Sequence, residues 1–400
     1  MVATASSALR SGEARKTGPA SIRCMRVLVV TDGEPWSKAH IVRSLIEQGH
    51  RVETFVTGPA VGGFYGRSRQ LERIAKNQDL LDHARRLIEG EGLDLIFCYV
   101  YDDFLTIEYA RRLEALGLPL VNYNVDMINQ WYRQTRTAPY FSLMLCAQRA
   151  NMDGLVRYGA RVLYFPMAAR EPLASGETEF VPAAPVTFVG TPMDYRIRVL
   201  SEVERAGIPL AVYGRLWAEQ RVSRPVRSLE KTVSDIYHYG WARLRTEGGA
   251  GLFRSLAERV VLAPASERST LSRSAQHGSV PEAALADLIR RSKVNIGITR
   301  MIGEDPNRPG INQVKLRDFE VPAAGGFHLV EESEDHAGLF EIGLEIETWR
   351  TPAELIDKIK YYLANESARS AIAEAGRRRV LTEHTWAHRF DFLFRQLGLA

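Results

Sequence analysis

The stretch RVLVV, residues 26–30, carries one charge at its start and then only apolar side chains, most of them valine. A run this short is no helix core, and a run this continuous leaves no face for water. It reads as a strand buried on both faces, the kind that parallel sheets contain. Similar runs follow at RVETFV (51–56), LDLIFCYV (93–100) and LPLVNYN (118–124). Amphipathic stretches separate them, such as KAHIVRSLIEQG (38–49), which ends on Gly49 where a left-handed C-terminal cap belongs. Strands alternating with helices are the pattern of a doubly wound α/β domain, here over residues 25–166.

The rhythm restarts at PVTFVG (185–190) and continues through IPLAVYG (208–214), KVNIGI (293–298) and GFHLVEE (326–332). It closes with PAELIDKIKYYLAN (352–365) and SARSAIAEAGRRRVLTEH (367–384). The expected organisation is a disordered leader (1–24), a first α/β domain (25–166), a linker rich in Ala, Pro, Gly and Glu (167–184), a second α/β domain (185–383) and a closing helix (384–400). Residues 218–275 exceed what a strand-to-strand crossover needs and read as a helical insertion. Its basic surplus and the aromatics of DIYHYGWARLR leave two readings, a flap packed on its own domain or a helix that docks an acceptor or a membrane surface.

A chain of 400 residues exceeds one comfortable core, which agrees with two domains. Its 45% apolar and 25% charged content is that of an ordinary globular protein. A net charge of +4 on 52 basic and 48 acidic residues gives no footprint for nucleic acid. Cys24, Cys98 and Cys146 are odd in number and widely spaced, which argues against disulfides and zinc and for a reducing cytoplasm, with peripheral contact at the inner membrane face the remaining option. No apolar run approaches the ~20 residues that span a bilayer.

Several chemistries lack their motifs. There is no Gly-x-x-x-x-Gly-Lys-Ser/Thr loop, no Gly-x-Ser-x-Gly elbow and no His-Glu-x-x-His helix. The turn after the first strand, TDGEPWSKAH, lacks the glycine spacing that brings a dinucleotide's pyrophosphate to the backbone, so a nicotinamide dehydrogenase is disfavoured. No Asp-x-Asp supports a metal-bridged diphosphate. His384 and His388, four apart in HTWAH, read as packing residues rather than metal ligands.

What remains is NQVKLRDFEVPAAGGFHLVEE, residues 312–332. It reads as a helix with Asn312 at its N-cap and Gly325–Gly326 at its end. Free amides near Gln313 and Val314, joined by Lys315 and Arg317, would form an anion site. Glu320, two turns from Asn312, would lie on the same face and accept hydrogen bonds from a ribose diol. An earlier half-site is VTFVGTPMDYRIRVL, where Gly190 closes a strand and would admit a phosphate, with Arg196 one turn on to neutralise it. On the other side, His40 is a candidate general base or a structural histidine, and Asp126 a candidate for orienting or deprotonating an acceptor or else a helix cap. Asp102 and Asp103 in YDDF carry the same two readings.

Residues 316–390, with GLPLVNYNVD, DGLVRYGARVLYFPMAA, TFVGTPMDYRIRVL and AVYGRLW in order before them, resemble the CgeB-like, spore-maturation type of glycosyltransferases with the GT-B fold. The likeness runs from about Met25 to the C-terminus, broken by the long segment 218–275. It implies two Rossmann-like domains facing across a cleft, the C-terminal one binding a nucleotide sugar and the N-terminal one an acceptor. In the broader retaining GT-B families a spaced pair of glutamates embraces the donor. Glu320 matches the second, at the ribose, whereas Asn312 stands where the first would be, which leaves the stereochemical outcome open. Arg196, Lys315 and Arg317 match basic positions at the diphosphate. The resemblance thus implies sugar transfer from a nucleotide diphosphate sugar without a metal or other cofactor. A nucleotide-sugar 2-epimerase of the same fold and a non-catalytic nucleotide-sugar-binding protein are the alternatives.

Overall fold

The computed structural model describes residues 23–58, 67–170, 181–217, 271–302 and 310–399, with 244, 248 and 249. Residues 1–22 of the expected leader, most of the expected insertion and the middle of the expected linker lie outside these residues. β1 (Arg26–Thr31), β2 (Arg51–Val56), β3 (Leu95–Cys98), β4 (Leu120–Asn124), β5 (Leu143–Cys146) and β6 (Val162–Tyr164) form one sheet of order β2-β1-β3-β4-β5-β6. All its pairings are parallel. A second sheet begins with β7 (Val186–Val189), β8 (Leu210–Tyr213), β9 (Gln276–His277) and β10 (Val294–Gly297). After it, β11 (Arg300–Ile302) and β12 (Ile311–Asn312) pair antiparallel outside the sheet. β13 (His328–Glu331) and β14 (Glu347–Trp349) then complete the parallel order β14-β13-β10-β7-β8-β9.

Burial of β1 on both faces follows from the valine run. Leu28 and Val30 pack with Leu80, Leu81 and Ala84 of the helix Arg67–Glu89. Val27 and Val29 face Ile41 and Leu45, and also Phe390, Leu393 and Phe394. Those last residues belong to the helix Trp386–Gln396, so the chain's final helix returns to close the core of the first sheet. The segment after β1 is helical from Pro35 to Glu47, with a π-helical turn at Lys38–Val42 that carries His40. Gly49 caps it at φ 84°, as the sequence predicts.

The chain passes between the two sheets near residues 166–170 and again near 383–386, and the two crossings are bonded together. The Ala169 amide donates to the His384 carbonyl and the Trp386 amide to the Ala169 carbonyl, each at 3.0 Å. Arg389, buried beneath them, donates to the Pro166 and Glu383 carbonyls and to His384 Nδ1. Burial lowers its pKa to about 10. His384 gives its other nitrogen to the Leu339 carbonyl at 2.8 Å, and His388 completes a capping box with Thr385. Both histidines are therefore packing residues. Among the described residues no helix is long and apolar enough to cross a membrane.

Candidate active site

The order of each sheet reverses once, between β1 and β3 in the first and between β7 and β10 in the second. Such switch points open a crevice at the carboxyl ends of the strands. Here the two crevices face each other. Trp36, Tyr99, Val125, Asp126 and Met167 line one wall of a cleft of about 400 Å³, and Gly190, Thr191, Arg196, Ile298, Lys315 and Glu320 line the other. The structure thus brings Asp126, Gly190, Arg196, Lys315, Arg317 and Glu320, expected from sequence, to one cavity.

On the second wall, Arg196 sits in the first turn of the helix Asp194–Arg205. Its guanidinium donates to the Thr191 carbonyl at 3.0 Å, to Thr191 Oγ1 at 3.3 Å and to the Ile298 carbonyl at 3.5 Å. Burial lowers its pKa, and the Glu331 carboxylate opposes that shift. Lys315 Nζ lies 3.9 Å from Asp126 Oδ1 across the cleft. Its pKa is also lowered, first by burial, with Asp126 opposing and nearby Arg196 reinforcing the shift. Two half-buried cations are therefore held close on one wall, an arrangement that an anion between them would relieve.

Gly190 lines this wall for another reason than the sequence suggests. Its amide already donates to the Tyr213 carbonyl at 2.9 Å, so it is no open phosphate donor. A Cβ on it would come within 2.8 Å of the Phe188 ring and 3.3 Å of Arg196 Nη1. The glycine makes room first for the Phe188 ring and then for the arginine.

The segment around residue 312 corrects the sequence reading most. No helix starts at Asn312. The residue belongs to β12, where its side-chain amide donates to the Glu332 carbonyl at 2.6 Å, and it does not line the cleft. Strand pairing to β11 holds the backbone extended there, and the Gln313 amide is taken by the Thr299 carbonyl at 3.2 Å. The helix begins only at Arg317 and ends at Ala323, with Gly325 at φ 80° terminating it as predicted. Asn312 and Glu320 therefore share no helical face, and the predicted amide site at Gln313–Val314 does not form. Gln313 instead reaches across to Asp126 Oδ1 at 3.1 Å.

Lys315, Arg317, Asp318 and Glu320 divide in their roles. Asp318 is buried and anchors the segment. One of its oxygens accepts from His328 Nε2, and the other from His336 Nε2 and the Lys315 amide, at 2.8 to 3.0 Å. These bonds hold its carboxyl well below the usual range despite burial. Arg317 and Glu320 pair three residues apart, and the pair lines the cleft rather than solvent. Behind it, Glu331 accepts from Tyr195 at 2.6 Å and from Arg300 at 3.0 Å, fixing the loop at Thr299.

On the first wall, Asp126 stands directly after β4, one oxygen toward Gln313 and Lys315 and the other accepting from Gln130 at 3.4 Å. It makes no side-chain helix cap. His40 lies behind Glu320, with Nε2 at 3.4 Å from its Oε1, while Nδ1 accepts from Trp386 Nε1 at 3.3 Å. Burial lowers the His40 pKa, which keeps the ring neutral with its proton on Nε2 toward Glu320. The histidine links the final helix to the glutamate. Asp102 is partly buried and accepts from the Thr137 amide and hydroxyl and from the Arg136 amide, its pKa pushed up to about 6 by desolvation, and Asp103 pairs with Arg133 at 2.5 Å. Both are structural.

Sequence reasoning missed Trp36 and Tyr99. Their signal was position, since each follows a central strand within a few residues at the switch point of the first sheet. Among the described residues no group of three His, Cys, Asp or Glu side chains is arranged to hold a metal ion.

Comparison with known proteins bears on the whole arrangement. The model of a family described as "Glycosyl transferase-like" matches residues 196–395, half of the chain. No curated protein matches it. Among solved structures, HepE of Anabaena in complex with UDP and glucose is similar over 94% of this chain and 100% of its own, at 13% identity and a TM-score of 0.56. Sucrose-phosphate synthase of Thermosynechococcus elongatus covers 94% and 99% at 12% identity and a TM-score of 0.54. A glycosyltransferase of Rickettsia africae covers 94% and 98% at 9% identity and a TM-score of 0.52. At such identities the likeness is one of fold, and that fold is GT-B.

Proposed function

The chain belongs to the glycosyl transferase-like family and is a glycosyltransferase, and from that premise we propose that it moves a sugar from a nucleoside diphosphate donor to an acceptor hydroxyl without a metal. Within the family we assign it to the CgeB-like group, whose spaced motifs its sequence resembles, and to the cytoplasm. The observation that carries the reading is the pair Arg196 and Lys315 on one wall of the cleft. Among the described residues the arginine's hydrogen bonds go to neutral oxygens, and the lysine's carboxylate neighbour is 3.9 Å away across the gap. A diphosphate between them would meet positive charge already in place. HepE, of the same fold, is seen in complex with UDP, which supports the donor class.

In the transfer, the bond from the sugar's anomeric carbon to the diphosphate oxygen breaks and its electron pair stays on the phosphate. Arg196 and Lys315 stabilise that developing charge, the task a metal performs elsewhere. Glu320 holds the ribose diol. Each of its oxygens keeps a lone pair beyond its contacts with Arg317 and His40. Asp126, on the facing wall, accepts a hydrogen bond from the acceptor hydroxyl and takes its proton as that oxygen forms the new bond to the anomeric carbon. His40 positions Glu320 rather than the reacting atoms.

The test is turnover. The protein is incubated with a panel of nucleoside diphosphate sugars and candidate acceptors, and free nucleoside diphosphate and glycosylated product are followed together. Acceptor-dependent release of both supports the proposal. An altered donor sugar with no acceptor product would make the enzyme a nucleotide-sugar 2-epimerase, and binding without turnover would make the protein a sensor.

A further inference from the structure

We infer that the first wall of the cleft is a stacking subsite for a neutral pyranoside ring of the acceptor, seated on Trp36 and Tyr99 with one hydroxyl on Asp126. The inference rests on the reading above only in leaving the facing wall to the donor. Trp36, in the first helical turn after β1, and Tyr99, directly after β3, meet with ring centroids 5.2 Å apart at an interplanar angle of 85°. Two rings at right angles make a corner with two faces. Both rings are partly exposed and line the cleft.

The corner is held from behind. Pro35 fixes the backbone at the helix start just before Trp36. The Tyr99 hydroxyl lies 3.4 Å from that of Tyr101, whose ring carries the Arg133 guanidinium 4.0 Å from its centroid. Arg133 is in turn held by Asp103 and Gln130. Rigid aromatic surface of this kind binds at low entropic cost.

Charge and shape then select the ring. Aromatic faces are electron-rich and attract the weakly positive C–H bonds on the flat side of a pyranose. The charged group that this wall adds to the cleft is the carboxylate of Asp126, which accepts hydroxyl protons and repels anions. Asp126 and Asp32 are also close enough to help burial push the Tyr99 pKa up to about 12. An acidic sugar or a phosphorylated acceptor would meet that field with the wrong sign. A flat aromatic acceptor would use the rings but leave Asp126 with no hydroxyl beyond its own. A neutral pyranoside satisfies rings and carboxylate together.

The experiment measures binding with saturating UDP, and again without it, for methyl glucoside, methyl galactoside, methyl mannoside, maltose, glucuronate and 4-nitrophenol. Saturation-transfer NMR and tryptophan fluorescence give the readout. At least one neutral pyranoside should bind, more tightly than glucuronate or 4-nitrophenol. Trp36→Ala and Tyr99→Ala should each weaken it roughly tenfold or more, while the Kd for UDP stays within about twofold. Trp36→Phe, which keeps an aromatic face and packing volume, should retain most of the affinity. The inference is overturned if no neutral pyranoside binds, if glucuronate or 4-nitrophenol binds more tightly, or if a folded Trp36→Phe and a folded Trp36→Ala bind the pyranoside alike. Failure of UDP to bind, with pyranoside binding and its Trp36 dependence intact, would instead strike the donor assignment and leave this one standing.

Discussion

The two walls of the cleft are built on the same plan and carry opposite chemistry. Both are loops at the carboxyl ends of a doubly wound parallel sheet, at the point where strand order reverses. The wall from the second sheet presents Arg196 and Lys315, two cations desolvated side by side. The wall from the first presents two aromatic rings and a carboxylate. The fold supplies the crevice twice, and the loop residues decide that one crevice suits a leaving anion and the other a neutral nucleophile.

The contrast breaks most readily at Arg196. If this wall stabilises the departing diphosphate, Arg196→Ala should lower kcat by about 10²- to 10³-fold, with a smaller change in acceptor KM. A variant that raises acceptor KM and spares kcat would exchange the roles of the walls. The next effect is at Glu320, where Glu320→Ala removes charge-assisted hydrogen bonds worth about 1.5 to 3 kcal/mol, so donor affinity should fall roughly 10- to 100-fold while the protein stays folded. Donor and acceptor titrations of the one variant show whether the loss is confined to the donor side.

The walls should also differ with pH. Burial lowers the Lys315 pKa, so its charge is lost as pH rises through a value below the ordinary lysine range. Donor affinity should therefore decline at alkaline pH, by several-fold for one lost contact, and Lys315→Arg should move that decline upward. Acceptor binding should hold over the same range, because the Tyr99 hydroxyl ionises only near 12. Kd against pH for each ligand separates the two. The smallest expected effect is that of a chelator: EDTA should leave turnover unchanged, since the positive charge at the diphosphate comes from side chains. Loss of activity restored by magnesium would contradict that.

Much of this was legible before the structure. Apolar runs place β1, β3, β4, β7, β8, β10 and β13, because strands buried on both faces leave a nearly unbroken apolar signal, whereas β2, an edge strand with no buried residue, shows as the shorter alternation of RVETFV. β5 and β14 were missed as short runs beside aromatic and polar residues, and β9 has only two residues. Arg196, Lys315 and Glu320 could be placed at the cleft because loops after parallel strands converge there. Asn312 could not. The β11–β12 pairing that holds it extended is a long-range contact, and local spacing alone suggested a helix. The role of Asp318 was hidden for the same reason, since its partners His328 and His336 are fixed by the fold rather than by helical period. The closure of the first core by Phe390 and Phe394 depends likewise on a chain crossing that no periodicity announces.

The central claim is that Arg196 and Lys315 hold a diphosphate, and isothermal titration calorimetry tests it most directly. UDP, GDP, ADP and dTDP are titrated beside their parent nucleosides into the wild-type protein and into Arg196→Ala/Lys315→Met. At least one diphosphate should bind roughly 100-fold or more tightly than its nucleoside, and the double variant should erase that difference while keeping the nucleoside affinity. A folded double variant that binds the diphosphate as the wild type does would contradict the account.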